Sequence, residues 1–126
     1  DMKSVKERFF KNIQTIQHWS GNKLKIRIHE NDSEDALIKI NSVAKNYFDL
    51  VYIDGSHRAE DVLKDAILSF RLLDKNGIMI FDDYLWTQPD ILQAPKISID
   101  AFTTIFSSKL EILKAPSHQI YIRKIG

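Results

Sequence analysis

The sequence predicts an α/β fold in which a mostly parallel sheet, covered by helices on both faces, ends in an antiparallel hairpin. Two apolar runs, 50–53 and 78–81, carry this prediction, and acidic residues follow each of them. Neither run has a polar face, which is typical of strands that are buried on both sides. Between them, apolar residues recur at helical spacing over 59–73, with charged residues on the opposite face. Together these segments form one βαβ unit.

The acids that follow the two runs are Asp54, Asp82 and Asp83. Crossover connections are right-handed and sequential strands tend to be neighbours, so the two strands should lie side by side and point the same way. The three carboxylates then converge where open α/β sheets bind their ligands. The alternative is that each acid merely caps the helix or turn that follows it.

Two helices and one strand are predicted before the βαβ unit. Ser4 and Glu7 form a capping-box pattern, and the apolar spacing after them predicts a helix over about 4–17. Residues Leu24–His29 alternate between apolar and polar side chains, which predicts a half-exposed strand near a sheet edge. Asn31, Asp32 and Ser33 are residue types that cap helices, and they open a helix that should end near residue 46.

After the βαβ unit, residues 85–95 contain two prolines and no periodicity, which predicts a loop beside the acids. Loops in this position commonly close over substrates. Ser98 is expected to cap a last helix that runs to Phe106. Alternating residues around 110–112 and 120–122, separated by a turn at 115–118, predict the hairpin.

Composition limits the classes of function. The chain has 126 residues, enough for one domain over 1–126, and its 18 basic and 17 acidic side chains give a net charge of +1. The basic residues form no run, so no nucleic-acid partner is expected. The absence of cysteine excludes disulfides and thiol catalysis. Without a long apolar run, we expect no membrane partner and a soluble, cytoplasmic protein.

The residues that frame the acids resemble a known family. Phe48–His57, the helix that ends in Leu72-Leu73, and Asn76–Tyr84 are similar to the second half of class I S-adenosylmethionine-dependent methyltransferases, specifically the small-molecule O-methyltransferases. The resemblance runs from about residue 5 to the end and includes the hairpin. It implies a partial Rossmann-like methyltransferase sheet, S-adenosylmethionine as the cofactor and a small-molecule hydroxyl as the methyl acceptor.

The resemblance also implies roles for the acids. In the metal-dependent members, residues at the positions of Asp54, Asp82 and Asp83 hold a divalent cation, and an all-oxygen site suits Mg²⁺ better than zinc. His57, three residues after Asp54, is a candidate general base or a partner of the ligands. The alternative is that His57 has no functional role and lies in the first turn of the helix, in contact with solvent only. Tyr84 and Trp86 are expected either to line the substrate site or to pack in the core or in the loop that closes over it.

The sequence departs from the family on the cofactor side. The resemblance assigns Asp32 and Ser33 to the adenine side of the cofactor, and it implies that Asp54 also contacts the cofactor. However, the four glycines lie at 21, 55, 77 and 126, too far apart to form the family's glycine-rich turn. We therefore expect a truncated domain that binds S-adenosylmethionine weakly or not at all, so that the isolated chain is inactive. The alternative function is a non-catalytic binding or assembly module that keeps the fold; a phosphate site at Gly55-Ser56 is a weaker third possibility.

The family's strand order, 3-2-1-4-5-7-6, would place two further strands between Leu24–His29 and Leu50–Ile53. An unpaired strand edge associates readily. We therefore expect either that Leu24–His29 moves beside Leu50–Ile53 or that the chain forms a homodimer, through the exposed edge or by exchange of its N-terminal elements.

Overall fold

The structure is a computed structural model that describes residues 1–116 and 118–126. Residue 117, part of the turn predicted at 115–118, lies outside the described residues. The chain divides into two compact units, Asp1–Glu30 and Asn31–Gly126. No helix of the described chain is both long enough and apolar enough to cross a bilayer.

The first unit contains one helix, α1 (Met2–Trp19), which is longer at both ends than the predicted 4–17. Its cap is Asp1, whose side chain accepts a hydrogen bond from the backbone N–H of Lys3 at 3.0 Å. The predicted Ser4 cap is wrong, since the Ser4 hydroxyl donates to the carbonyl of Asp1. Asp1 lies one turn earlier and satisfies a free N–H of the helix end.

The strand predicted at Leu24–His29 is also wrong. Residues 23–30 have no regular secondary structure, and Leu24 and Ile28 are more than 40% exposed. Alternation records only which side chains prefer water, whereas a strand also requires a neighbouring backbone to bond with. In the described residues, the sheet has four strands, and Leu24–His29 is not one of them.

The second unit has the order α2 (Ser33–Asn41), β1 (Phe48–Ile53), α3 (Ala59–Leu72), β2 (Leu73–Phe81), α4 (Lys96–Ile105), β3 (Leu110–Lys114) and β4 (Ile120–Lys124). α2 ends at Asn41, whereas the sequence predicted an end near residue 46. α4 begins after Pro95, two residues before the predicted cap, and Ser98 instead donates its hydroxyl to the carbonyl of Ala59.

The sheet has the order β1-β2-β4-β3, in which β1 and β2 are parallel and the other pairs are antiparallel. The parallel neighbours and the hairpin are therefore as predicted. Tyr52 pairs with Ile80, and Ile53 pairs with Phe81. This register ends both parallel strands at the same level, so the residues that follow them share one edge of the sheet. The predicted α/β fold class is confirmed. The sheet is not mostly parallel as predicted, because the hairpin supplies two of its four strands and only one of the three strand pairs is parallel.

Two helices, α3 and α4, cover one face of the sheet. The core that they form includes Phe70, Met79, Phe81, Phe102 and Ile122. Phe70 and Phe102 meet edge to face, with ring centroids 5.4 Å apart. A Cβ added to Gly77 would lie 2.7 Å from a methyl of Leu73 and 2.8 Å from the carbonyl of Asp74, so only glycine fits there. This packing fixes β2, and β2 in turn positions the acids at its end.

Candidate functional site

Three carboxylates lie together at the carboxyl ends of β1 and β2. Asp54 follows β1 directly, and Asp82 and Asp83 follow β2. The backbone N–H of Asp82 donates to the carbonyl of Ile53 at 3.0 Å, so the ladder between the two strands continues as far as the acids. The convergence expected from parallel neighbours is therefore present, and the ligand roles of these residues stay a prediction.

The backbone at Asp83 is unusual, with a φ of 59° in the left-handed region. Aspartate adopts this region more readily than most residues, and such conformations concentrate at functional sites. The N–H of Asp83 donates to Oδ1 of Asp82 at 2.8 Å. The turn thus holds one acid in place with the backbone of the next.

Asp82 also accepts a hydrogen bond at its second oxygen, Oδ2, from the hydroxyl of Tyr52. This bond, together with desolvation and the charge of Asp82, raises the pKa of Tyr52 to about 12. The same bond, followed by the N–H of Asp83, lowers the pKa of Asp82. Asp82 therefore stays ionised and Tyr52 stays protonated. Sequence reasoning missed Tyr52, because it lies inside an apolar strand whose pattern shows only burial.

His57 contacts the site from the turn between β1 and α3, two residues before the helix begins at Ala59. Its Nε2 lies 2.8 Å from Oδ2 of Asp83. Its ring stacks on Trp86, with centroids 4.5 Å apart and planes 20° apart. The alternative in which His57 contacts only solvent from the first helical turn is wrong, since a carboxylate and an indole hold the imidazole.

The three carboxylates influence one another's protonation. Burial raises the pKa of Asp54, and the negative charges of Asp82 and Asp83 raise it further. Like charges held this close disfavour full ionisation, and a bound cation would relieve the repulsion. The donors are all carboxylate oxygens, which suit a hard cation such as Mg²⁺.

The three carboxylates are not arranged as a set of metal ligands in this structure. Among the described residues, no group of three or more histidine, cysteine or acidic side chains stands ready to hold a metal. Both oxygens of Asp82 are bonded within the protein, to Tyr52 and to the N–H of Asp83. The donor type and the charge fit a hard cation, and ligation requires these side chains to exchange protein partners for the ion.

On the predicted cofactor side, Asp32 and Ser33 lie at the start of α2, where Asp32 makes no capping bond with its side chain. The hydroxyl of Ser33 donates to Oδ1 of Asp65 at 2.7 Å. Asp65 lies on α3, is 8% exposed and has its pKa raised by burial. Its other oxygen lies 3.6 Å from the position of a Cβ added to Gly55. Asp65 therefore bonds to the start of α2 and lies close to Gly55 in the turn that follows Asp54.

Sequence reasoning missed this role of Asp65. Asp65 follows Glu60, Asp61 and Lys64 in the sequence, so the pattern predicted that it lies on the charged face of α3. No local signal distinguishes Asp65 from these neighbours, since its burial comes from the packing of α2 against α3.

The two aromatic residues after the acids have different environments. The hydroxyl of Tyr84 donates to Asp100 at 2.7 Å, and the ring packs against the core. This bond ties the loop to α4, and Lys96 of the same helix donates to the second oxygen of Asp100 at 2.6 Å. Trp86 is 44% exposed and lines a surface groove with Leu85 and His118, directly beside Asp83. Tyr84 therefore packs the loop, while Trp86 is available to a ligand.

Several solved structures are similar to this chain in fold. A Corynebacterium glutamicum protein of known crystal structure matches with a TM-score of 0.67 at 16% identity, over 95% of this chain and 57% of that one. The O-methyltransferase NovP matches with a TM-score of 0.51 at 16% identity, over 64% and 31% of the two chains. The MycE methyltransferase of mycinamycin biosynthesis, solved with Mg and SAH, matches with a TM-score of 0.57 at 19% identity, over 78% and 31%.

An uncharacterized protein of Acanthamoeba polyphaga mimivirus is 33% identical over 51 residues, which cover 40% of this chain and 23% of that protein. The chain thus spans less than two thirds of the length of each protein that it matches here. A family profile described as a methyltransferase domain matches residues 2–84, which is more than half of the chain. The chain therefore belongs to the methyltransferase domain family, with the fold of class I S-adenosylmethionine-dependent methyltransferases and a similarity to small-molecule O-methyltransferases.

Proposed function

We propose that this domain serves the transfer of the methyl group of S-adenosylmethionine to a hydroxyl of a small molecule, with a divalent cation, Mg²⁺, held by Asp54, Asp82 and Asp83. One observation carries the proposal: these three acids follow two neighbouring parallel strands, where desolvation and then the charges of Asp82 and Asp83 raise the pKa of Asp54. The MycE structure, a relative in fold, contains Mg. When bound, such an ion lowers the pKa of a coordinated hydroxyl and orients it.

The residues around the acids keep Asp82 ionised and hold the carboxylates in position. Tyr52 keeps its proton and holds Asp82 in the ionised form, so one full negative charge is present at the end of β2. The left-handed turn at Asp83 places the next carboxylate beside the first. Preorganised charge of this kind attracts a cation without rearrangement of the backbone.

His57 is the proposed base that removes the proton of the acceptor hydroxyl. Its Nε2 faces the carboxylate of Asp83, which favours the tautomer with the proton on Nε2. The nitrogen Nδ1 is then the basic one and can accept a proton. The stack on Trp86 fixes the plane of the ring, and Asp54 is the second group in position to assist deprotonation.

On the cofactor side, Asp32 and Ser33 are proposed to contact the adenine portion, with Asp65 holding the Ser33 hydroxyl in place. The glycine positions supply no glycine-rich turn for the methionine portion, so this sequence provides only part of a cofactor pocket. That spacing favours the second candidate function, a binding or assembly module that keeps the fold and the acids without catalysis.

Manganese binding tests the cation site directly, without any need for activity. Water-proton relaxation should show that Mn²⁺ binds to the native chain and that Asp82→Asn weakens its affinity by about tenfold or more, the scale for the loss of a metal-site partner. Asp74→Asn is the matched control, because Asp74 is an exposed acid at the opposite end of the same strand. Equal affinities in the native chain and in both variants would refute the cation site. The binding or assembly module would then be the better-supported function.

A further inference from the structure

The two groups that hold the ring of His57 belong to a single turn, residues 83–86. Asp83, which begins the turn, bonds to the imidazole with its carboxylate, and Trp86, which ends the turn, stacks its indole on the ring. The backbone N–H of Trp86 donates to the carbonyl of Asp83 at 2.9 Å and closes the turn. The position of the imidazole therefore depends on the conformation of these four residues.

The backbone of the turn is held by Tyr84, the residue that follows the left-handed Asp83. A left-handed residue other than glycine costs free energy and persists only where the surrounding contacts fix it. The backbone N–H of Tyr84 donates to the carbonyl of His118 at 2.9 Å, and its hydroxyl donates to Oδ1 of Asp100 at 2.7 Å. The ring between these two bonds packs against the core. Tyr84 is thus anchored at both of its ends.

Asp100 is a fixed point for the hydroxyl of Tyr84, because it lies on the packed helix α4. The neighbouring Ile99 is only 1% exposed, and the hydroxyl of Ser98 donates to the carbonyl of Ala59 at the start of α3. Lys96 donates to Oδ2 of Asp100 at 2.6 Å, so both oxygens of this carboxylate have a donor. Side chains that are supported by bonds and carried on helices hold their partners more precisely than side chains on loops do.

We propose that Asp100 is a positioning residue for His57. Its carboxylate holds the hydroxyl of Tyr84, Tyr84 holds the turn 83–86, and the turn presents a carboxylate and an indole to the imidazole. Asp100 acts through Tyr84 and takes no part in the chemistry. The inference rests on the proposed role of His57 as the base, which must keep its ring within reach of the proton that it removes.

Four substitutions isolate the bond between Tyr84 and Asp100. Tyr84→Phe removes the donor and keeps the ring in the core, and Asp100→Ala removes the acceptor. Asp100→Asn keeps an oxygen that can accept from the tyrosine, so it should behave like the native chain. Lys96→Met is the matched control, because it removes the bond to the other oxygen of the same carboxylate and leaves the acceptor of Tyr84 in place.

The nuclear Overhauser effect between the ring protons of His57 and Trp86 reports directly on their contact. His57→Gln and Trp86→Phe identify the two sets of resonances. The effect should be present in the native chain, in Asp100→Asn and in the lysine control, and it should be lost in Tyr84→Phe and Asp100→Ala. The effect between the rings of Phe70 and Phe102, whose centroids lie 5.4 Å apart, should persist in every variant and shows that the core is intact.

Tyr84→Phe decides the question by itself if Asp100→Ala also loses the core contact. Retention of the contact between His57 and Trp86 in Tyr84→Phe would overturn the proposal, and so would an equal loss of that contact in Lys96→Met. The measurement requires neither a cation nor methyl transfer. A native chain that fails to bind Mn²⁺ would therefore refute the cation site without changing the result for Asp100, so the two failures are distinguishable.

Discussion

Asp65 is a buried carboxylate that has one hydrogen bond, from Ser33, and a pKa raised by burial. Because the folded state holds this proton more tightly than the unfolded state does, stability falls as the pH rises from the ordinary value of 3.8 through the raised one. Above that window the charged carboxylate costs stability. Asp65→Asn removes the charge and keeps an oxygen for Ser33, so we expect it to stabilise the domain at pH 7 by about 1 kcal/mol, the low end for a desolvated polar group.

Urea unfolding at pH 7 and at pH 3.5 checks this expectation. The gain from Asp65→Asn should be present at pH 7 and absent at pH 3.5, where the native carboxyl is already protonated. Asp35→Asn on α2 is the control, since Asp35 is exposed and has no partner of this kind in the described part of the chain. Destabilisation by Asp65→Asn at neutral pH would show instead that the charge is needed at this position.

At the scale of elements, Lys124 fastens the last strand to the end of α3. Its ammonium donates to Asn46 Oδ1, to the carbonyl of Phe70 and to that of Leu73, at 3.0, 2.9 and 2.7 Å. The two carbonyls belong to the C-terminal end of α3, where the helix dipole favours a positive charge. The ammonium also lies 4.9 Å from the ring centroid of Phe70. Desolvation lowers the pKa of Lys124, and its three partners offset that cost.

Lys124→Met keeps the aliphatic stem and removes the ammonium, which leaves buried acceptors without a donor. We expect a loss of about 3 kcal/mol in the free energy of unfolding, at the upper range for bonds to a charged group. Lys114→Met, at an exposed position on β3, should stay within about 0.5 kcal/mol of the native chain. Similar losses for the two variants in urea titrations would contradict the fastening role of Lys124.

The element boundaries show what local sequence signals can predict. The apolar periodicity of α1, α3 and α4 is sufficient to locate these helices, and in α3 and α4 the apolar stripe is buried. Their first residues are harder to predict, since several capping residues compete. Asp1 caps α1 in place of Ser4, and Ser98 bonds to Ala59 in place of capping α4.

For the whole molecule, the parallel order of β1 and β2 was predictable because the handedness of crossovers leaves few alternatives, and the gathering of Asp54, Asp82 and Asp83 follows from that order. The prediction of a strand at Leu24–His29 was wrong, because pairing depends on a neighbour that no local pattern reveals. Tyr52 and Asp65 were missed for a related reason. Their roles depend on partners 30 and 32 residues away in the sequence.

The central claim is that the carboxylates at the ends of β1 and β2 hold a divalent cation in a methyltransferase fold. Anomalous diffraction from crystals of the native chain soaked in Mn²⁺ tests it most directly, because it locates the ion without reference to activity. We expect an anomalous peak about 2.1 Å from carboxylate oxygens of Asp54, Asp82 and Asp83, the distance typical of a small hard cation. Strong peaks elsewhere on the protein, with none at this cluster, would contradict it.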